Sequence, residues 1–285
     1  MNASEARLLL LESLTPRYGA GESASISRIL LEDAFGIRPY DRDIVLAPED
    51  KEKFAAMLKR LLEGEPVQYV LGSADFFGLR FKVSPAVLIP RQETEELVAW
   101  ALEWLKTRQV ESPGVLDIGL GSGCIGITLK KKNPGIRLTG VEKSPAALEI
   151  ALENADSILG KDACHFVSGD ILDESNWAQF SMYDMVISNP PYIPFSEQSL
   201  VPEHVIDYEP GLALFVEDRD PLVFYRAIAA FCLKKLHPGG ALFFECNEFS
   251  AGQVADMLRE EGFSGVILRK DLAGAARMVC AFQPL

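Results

Sequence analysis

The chain has 285 residues, with 28 Lys and Arg against 41 Asp and Glu, a net charge of −13 and 48% hydrophobic residues. That length and apolar content suffice for a full core and two domains of unequal size. The acidity argues against a nucleic-acid surface, which needs clustered basic side chains, and no apolar stretch approaches the ~20 residues of a membrane span. Residues 1–72 read as a helical domain, with apolar residues at three-to-four spacing over Ala3–Leu14, Ser25–Phe35 and Glu49–Glu63. Met1–Leu14 carries Glu5 and Arg7 before a four-leucine run, which reads as an amphipathic helix and not a secretion signal. Residues 73–90 read as a β-hairpin linker built on Phe76, Phe77, Leu79, Phe81 and Val83, with Gly78 in its turn. Over 91–285 helices and strands alternate: a helix to Thr107, a strand at Val115, a helix at Ile125, a strand at Leu138 and a helix over Ala146–Leu159. Further strands are expected at His165, Met185 and Ala241–Glu245. This alternation predicts an α/β domain whose parallel sheet is covered on both faces. Val266–Arg269 and Ala275–Phe282 close it as a hairpin that adds one antiparallel strand.

Two strand ends carry chemistry. The apolar run at Val115 reaches Asp117 and then Gly119, Gly121 and Gly123 before a helix begins. Such glycines let the backbone turn tightly and let a ligand approach without a Cβ in the way. The Gly-x-Gly-x-Gly spacing differs from the dinucleotide fingerprint, and Asp117 would repel a phosphate while accepting from an amine or hydroxyl. Glu142 ends the next strand, about where an acid binds ribose hydroxyls, and Asp170 ends the one after, within reach of an adenine amino group. Together these describe a site for a nucleoside with a cationic or zwitterionic tail and no phosphate, namely S-adenosylmethionine. Tyr183–Ser188 then reads as a buried strand stopped by Asn189-Pro190-Pro191-Tyr192. The Asn189 carbonyl and the Pro190 C=O are adjacent acceptors, suited to a planar –C–NH2 group beside an aromatic ring.

In this order, Asp117–Gly123, Glu142, Asp170 and Asn189–Tyr192 resemble a class I methyltransferase of the Asn-Pro-Pro-Tyr group. Pro66–Gly72, Phe76–Val83, Val87–Leu97, Tyr208-Glu209-Pro210, Ala213-Leu214 and Asp271–Gly274 with Arg277 narrow the resemblance to the protein-glutamine N5-methyltransferases of peptide-chain release factors. Leu120, Gln92-Glu93, Val216–Pro221 and Cys246-Asn247 depart from the usual pattern, none of them at Asn189–Tyr192 or the cofactor acids. The resemblance implies a Rossmann-like seven-stranded class I sheet with a small N-terminal all-helical domain; that small bundle has no chemistry of its own and is assigned to recognition of the substrate protein. It implies S-adenosylmethionine as methyl donor, S-adenosylhomocysteine as product, and the glutamine of a Gly-Gly-Gln loop in class I release factors as acceptor. Asp117, Gly119, Gly121, Gly123, Glu142, Asp170 and Asn189 are then expected at the cofactor. Asn189, Pro190, Pro191, Tyr192, Arg91 and Glu95 are expected at the substrate, with Asn189, Pro190 and Tyr192 carrying the transfer.

A methyl-sulfonium is already activated, so the residues' task is to orient a poorly nucleophilic amide nitrogen, and no strong general base is required. Two other acceptors are weighed: glutamine on a ribosomal protein, and adenine N6 in nucleic acid. The Thr94-Glu95 pair favours the release-factor branch, and the acidity disfavours nucleic acid. Cys124, Cys164, Cys232, Cys246 and Cys280 lie scattered in apolar runs and read as buried free thiols of a reducing cytoplasm. His165, His204 and His237 lack ligand spacing, so no metal is expected. A monomer is expected.

Overall fold

The computed structural model describes residues 1–108 and 110–285. The chain divides into two compact units, Met1–Ala74 with Glu203–Tyr208, and Asp75–Pro202 with Glu209–Leu285.

The first unit is helical. Helix α1 (Ala3–Phe35) starts from a capping box, in which the Asn2 side chain accepts from the Glu5 N–H and Glu5 reaches back to the Asn2 N–H. It consists of two helical halves joined at Gly19, where φ 74° and ψ 168° break the ladder. The first half thus runs beyond the expected end at Leu14, with Pro16 inside the helix and the Thr15 hydroxyl donating to the Leu11 carbonyl. Helix α2 (Pro48–Glu63) has Pro at its first position and Gly64 in the left-handed region after its last. Helix α3 (Val67–Leu71) follows. Leu10, Leu14, Leu30, Leu31, Phe54 and Leu61 form the core of this unit. The α-helix Glu203–Tyr208, here α7, belongs to it, and the Tyr208 hydroxyl donates to the Glu63 carbonyl.

Strands β1 (Ser73–Phe76) and β2 (Leu79–Lys82) form a hairpin around Phe77-Gly78, both at positive φ. Its strands end at Lys82, so 83–90 is turn and irregular chain, not hairpin.

The second unit continues with α4 (Gln92–Thr107), β3 (Gly114–Ile118), α5 (Cys124–Lys132), β4 (Arg137–Glu142), α6 (Pro145–Leu159), β5 (His165–Ser168) and β6 (Tyr183–Ser188). The two-residue strands β7 (Ile193–Pro194) and β8 (Phe215–Val216) pair with each other, and α8 (Gly211–Leu214) precedes β8. Then come α9 (Val223–Lys235), β9 (Leu236–Glu245), α10 (Ala251–Glu260), β10 (Ser264–Lys270) and β11 (Ala276–Phe282). Helices α9 and α10 were absent from the sequence expectation, and β9 begins well before Ala241. The seven-stranded sheet has the order β10-β11-β9-β6-β3-β4-β5, in which β11 runs antiparallel to both its neighbours.

The sheet's two faces follow strand parity. Leu116, Ile118, Val186, Leu242 and Phe244 pack with α9 and α10, while Val115, Met185, Ile187, Ala241 and Phe243 pack with α4 and α5. Strands buried on both faces have little room for polar residues, which accounts for the continuous apolar runs. Four cysteines are buried as expected, but Cys164 is only half-buried. Among the described residues no helix is long and apolar enough to cross a membrane, and no group of His, Cys, Asp and Glu could hold a metal ion.

Candidate functional site

The order of the sheet reverses at β3: β4 and β5 lie to one side, β6 and β9 to the other. The carboxyl ends of β3, β4 and β6 therefore diverge into a crevice, the usual ligand position in open α/β sheets. A cavity of about 260 Å³ sits there. Its wall includes Gly119, Gly121, Glu142, Asp170, Asn189, Pro190, Pro191 and Arg91, which are thus brought together from five separate segments. Asp117, Gly123, Tyr192 and Glu95 are not on that wall.

The glycine loop is held by its neighbours. Gly119, Gly121 and Gly123 have φ of 76°, 53° and 79°, a region side chains rarely adopt. The Gly119 and Leu120 N–H groups donate to the Val141 carbonyl, tying the loop to β4. Leu120, a departure from the usual pattern, is buried over Gly140, where an added Cβ would lie 2.4 Å from Leu120 Cδ2. The larger loop residue and the glycine in β4 are therefore complementary.

Glu142 is buried, and its two carboxylate oxygens accept from Gly121 N–H (2.9 Å) and Ser144 N–H (2.8 Å). Each oxygen retains acceptor capacity for a hydroxyl in the cavity. Asp170 accepts from Leu172 N–H and pairs with Lys143 at 2.9 Å. Arg91 pairs with buried Glu209, which also accepts from Ile89 N–H at 3.1 Å. The two cations on the wall, Lys143 and Arg91, are thus both engaged by carboxylates. The acids, the bent glycine loop and the apolar surfaces of Ile171, Phe224 and Ile228 fit a nucleoside without phosphates.

Asp117 stands behind the loop with no exposed surface. Its Oδ2 accepts from Gly126 N–H at 2.8 Å, whereas Oδ1 has no partner. Burial first, and the nearby Glu142 charge besides, push its carboxyl up to about 8 against the Gly126 hydrogen bond. The expected contact with a ligand amine or hydroxyl is not formed by direct access from the cavity; Asp117 instead anchors the first turn of α5. Glu95 is likewise turned away, accepting from Phe77 N–H at 2.6 Å and so fixing the hairpin turn. The Tyr192 ring packs against the α9 and α10 side of the core, and its hydroxyl pKa is raised by that burial.

Asn189 leaves β6 beside the end of β9, since Ser188 pairs with Phe244 in parallel register. Its Nδ2 donates to Thr94 Oγ1 (3.3 Å), and the Thr94 hydroxyl donates to Glu245 Oε2 (2.6 Å). A planar amide with its NH2 so engaged keeps Oδ1 as its remaining hydrogen-bonding atom, and Asn189 and Pro190 both line the cavity. Thr94, Glu209 and Lys143 were not assigned roles from sequence. Thr94 and Glu209 lie within resemblance segments, but their partners are 95 to 151 residues away and invisible to local pattern.

Two family models match the chain: Methyltransferase small domain over residues 98–206 and PrmC N-terminal domain over residues 11–72. The release factor glutamine methyltransferase of Flavobacterium psychrophilum is 36% identical over 280 residues, 96% of each chain. That of Bacteroides thetaiotaomicron is 35% identical over 274 residues, 95% of this chain and 96% of its own. A crystal structure of a Pyrococcus furiosus methyltransferase, 18% identical, aligns with a TM-score of 0.52 over 81% of this chain and all of its own, a likeness of fold. With relatives of this identity matched along nearly their entire length, the chain belongs to the release factor glutamine methyltransferase family.

Proposed function

We propose that this protein methylates the side-chain amide nitrogen (N5) of the glutamine in the Gly-Gly-Gln motif of class I peptide-chain release factors, using S-adenosylmethionine. The observation that carries the reading is that Asn189 and Pro190 both line the cavity while the Asn189 NH2 is engaged by Thr94, which leaves Asn189 Oδ1 and the Pro190 C=O as the acceptors these two residues can offer. Membership of the family supplies the substrate class.

When bound, S-adenosylmethionine supplies an electrophilic methyl group on sulfonium. Glu142 would accept from its ribose hydroxyls and Asp170 from its adenine amino group. The glycine loop would lie along the nucleoside, with Asp117 holding that loop from behind. Asn189 and Pro190 would accept the two N–H bonds of the glutamine amide, fixing the nitrogen's direction and stabilising the positive charge that grows on it. Such orientation is worth on the order of 7–11 kcal/mol at most. Proline at 190 contributes through its missing N–H, since a donor there would compete with the substrate amide. Arg91, held by Glu209, would border the substrate side of the cavity. Residues 1–72 would contact the body of the release factor, 73–90 would link them to the catalytic residues, and 91–285 would carry the methyl transfer.

The test is transfer of labelled methyl to purified release factor beside its Gly-Gly-Ala variant, a ribosomal protein substrate and duplex DNA. Label on the wild-type release factor alone supports the reading, and Asn189→Ala should abolish it while leaving S-adenosylmethionine affinity within about two-fold. Label on DNA, or on both release-factor forms equally, overturns it.

A further inference from the structure

The amide of Asn189 is useful as an acceptor only in one of its two orientations. Rotated by half a turn, it would present NH2 to the substrate and repel the N–H it should receive. Local sequence does not select between the two, but the interior behind Asn189 does. Asn189 and Glu245 continue the parity of Ile187 and Phe243, so both side chains leave the sheet on the α4 side. Thr94, in the first turn of α4, stands between them with only 3% of its surface exposed, and Glu245 has 1%.

An ionised carboxylate only accepts hydrogen bonds, and a threonine hydroxyl has a single proton. With Glu245 ionised, Thr94 must give it that proton, at 2.6 Å, and can offer Asn189 only a lone pair. Asn189 must then turn its NH2 inward, at 3.3 Å, and its Oδ1 outward. The chain of donors therefore has one direction, set at its buried end. We infer that Glu245 is a positioning residue that acts on Asn189, directly and through Thr94, to hold its amide in the acceptor orientation, and that protonating Glu245 releases this hold. A protonated Glu245 can donate to Thr94, Thr94 can then donate to Asn189 Oδ1, and the amide is free to reverse. This inference rests on the proposed role of Asn189 as an acceptor for the substrate amide.

The titration falls in an accessible range. Burial first pushes the Glu245 carboxyl up to about 7, opposed by the Thr94 hydrogen bond, by Arg277 on β11 and by the Asn189 side-chain amide itself, with Glu93 on α4 adding to the rise. The other titratable groups facing it are Cys124 of α5, Tyr192 after β6, Tyr225 of α9 and its neighbour Cys246. Burial raises the pKa of all four, that of Cys124 to about 12. Glu245 is then the group of this cluster that changes charge between pH 6 and 8.

The test reads the amide directly and does not depend on turnover. In the full chain labelled with ¹⁵N-asparagine, the Asn189 side-chain NH2 signals, identified by their loss in Asn189→Ala, should shift with one midpoint between pH 6 and 8. Glu245→Gln should make them flat, Thr94→Val should shrink the shift, and Thr94→Ser should keep both shift and midpoint. In turnover, kcat of the wild type should follow the same midpoint, rising with pH. Thr94→Val and Glu245→Gln should lower kcat at least ten-fold with S-adenosylmethionine Kd within three-fold, and Thr94→Ser should stay within three-fold of wild type. Asn189 signals that ignore pH, or Thr94→Val with wild-type kcat, would overturn the inference. A wild type that shows the amide titration but leaves the release factor unlabelled would instead remove the proposed reaction and keep the relay.

Discussion

Replacing Asp117 by Asn should make the catalytic unit's stability less sensitive to alkali. In the folded chain the Asp117 carboxyl is raised from 3.8 to about 8, chiefly because no water reaches it and one oxygen has no donor. A carboxyl raised on folding binds a proton more tightly in the native state. Its stabilising effect is fully present below the unfolded value and is lost as pH rises through the folded one. At about 1.4 kcal/mol per pH unit, the interval sets a ceiling of about 6 kcal/mol, and relaxation around a buried charge leaves about half as the expected loss. Asparagine retains an oxygen for the Gly126 N–H and carries no charge at any pH. Subtracting the wild-type stability curve from that of Asp117→Asn should therefore give a line that rises between pH 4 and 8 and then levels. Urea unfolding followed by tryptophan fluorescence suits this measurement, because Trp100, Trp104 and Trp177 all lie in the second unit. Groups common to both chains, Glu245 included, cancel in the difference. A difference that stays within about 0.5 kcal/mol from pH 5 to 9 would refute the argument, since 0.5 is the usual scatter of independent sites.

Gly140→Ala should destabilise by about 1–3 kcal/mol and weaken S-adenosylmethionine binding, because the new methyl meets Leu120 of the glycine loop. Calorimetric titration of the double variant with Leu120→Ala should recover most of the affinity; no recovery would separate loop and strand. Glu142→Ala should weaken cofactor binding by about 1–3 kcal/mol, since it also frees the Gly121 and Ser144 N–H groups. Unchanged affinity in the same titration would remove Glu142 from the site. Arg91→Ala should cost about 1–3 kcal/mol in urea unfolding, as buried Glu209 loses its ion pair and keeps the Ile89 N–H. A smaller loss in Glu209→Gln/Arg91→Ala than in Arg91→Ala alone would identify the stranded charge as the cause.

The alternation of apolar strands and helices announces the parallel sheet because a strand covered on both faces must be apolar throughout, as Tyr183–Ser188 and Ala241–Glu245 nearly are. Helix α9 escapes the same reading. Val223–Lys235 is apolar on most sides where it packs on the sheet, so its helical period is weak. The interruption between Leu14 and Ser25 is legible as a gap, but Gly19 and Gly21 both fall in it, and only backbone angles show that helix runs up to Gly19 and resumes directly after it.

The site divides in the same way, between covalent facts and tertiary ones. That proline has no N–H is covalent, so the acceptor at Pro190 is legible from the sequence alone. That Asp117 points beneath the loop is set by strand parity. Val115 packs on the α5 side, and Asp117, two residues on, must follow it toward the first turn of that helix. Applied before the structure, that rule would have assigned Asp117 to the loop's support. The same parity sends Asn189 and Glu245 toward α4, but only a helix whose first turn arrives with Thr94 between them converts two neighbouring polar residues into a directed chain of donors. The residue types that meet the substrate can thus be read locally, while the orientation in which they meet it depends on a hydroxyl 95 residues away. Asn189 retains its acceptor direction while Glu245 stays ionised and takes that hydroxyl's proton.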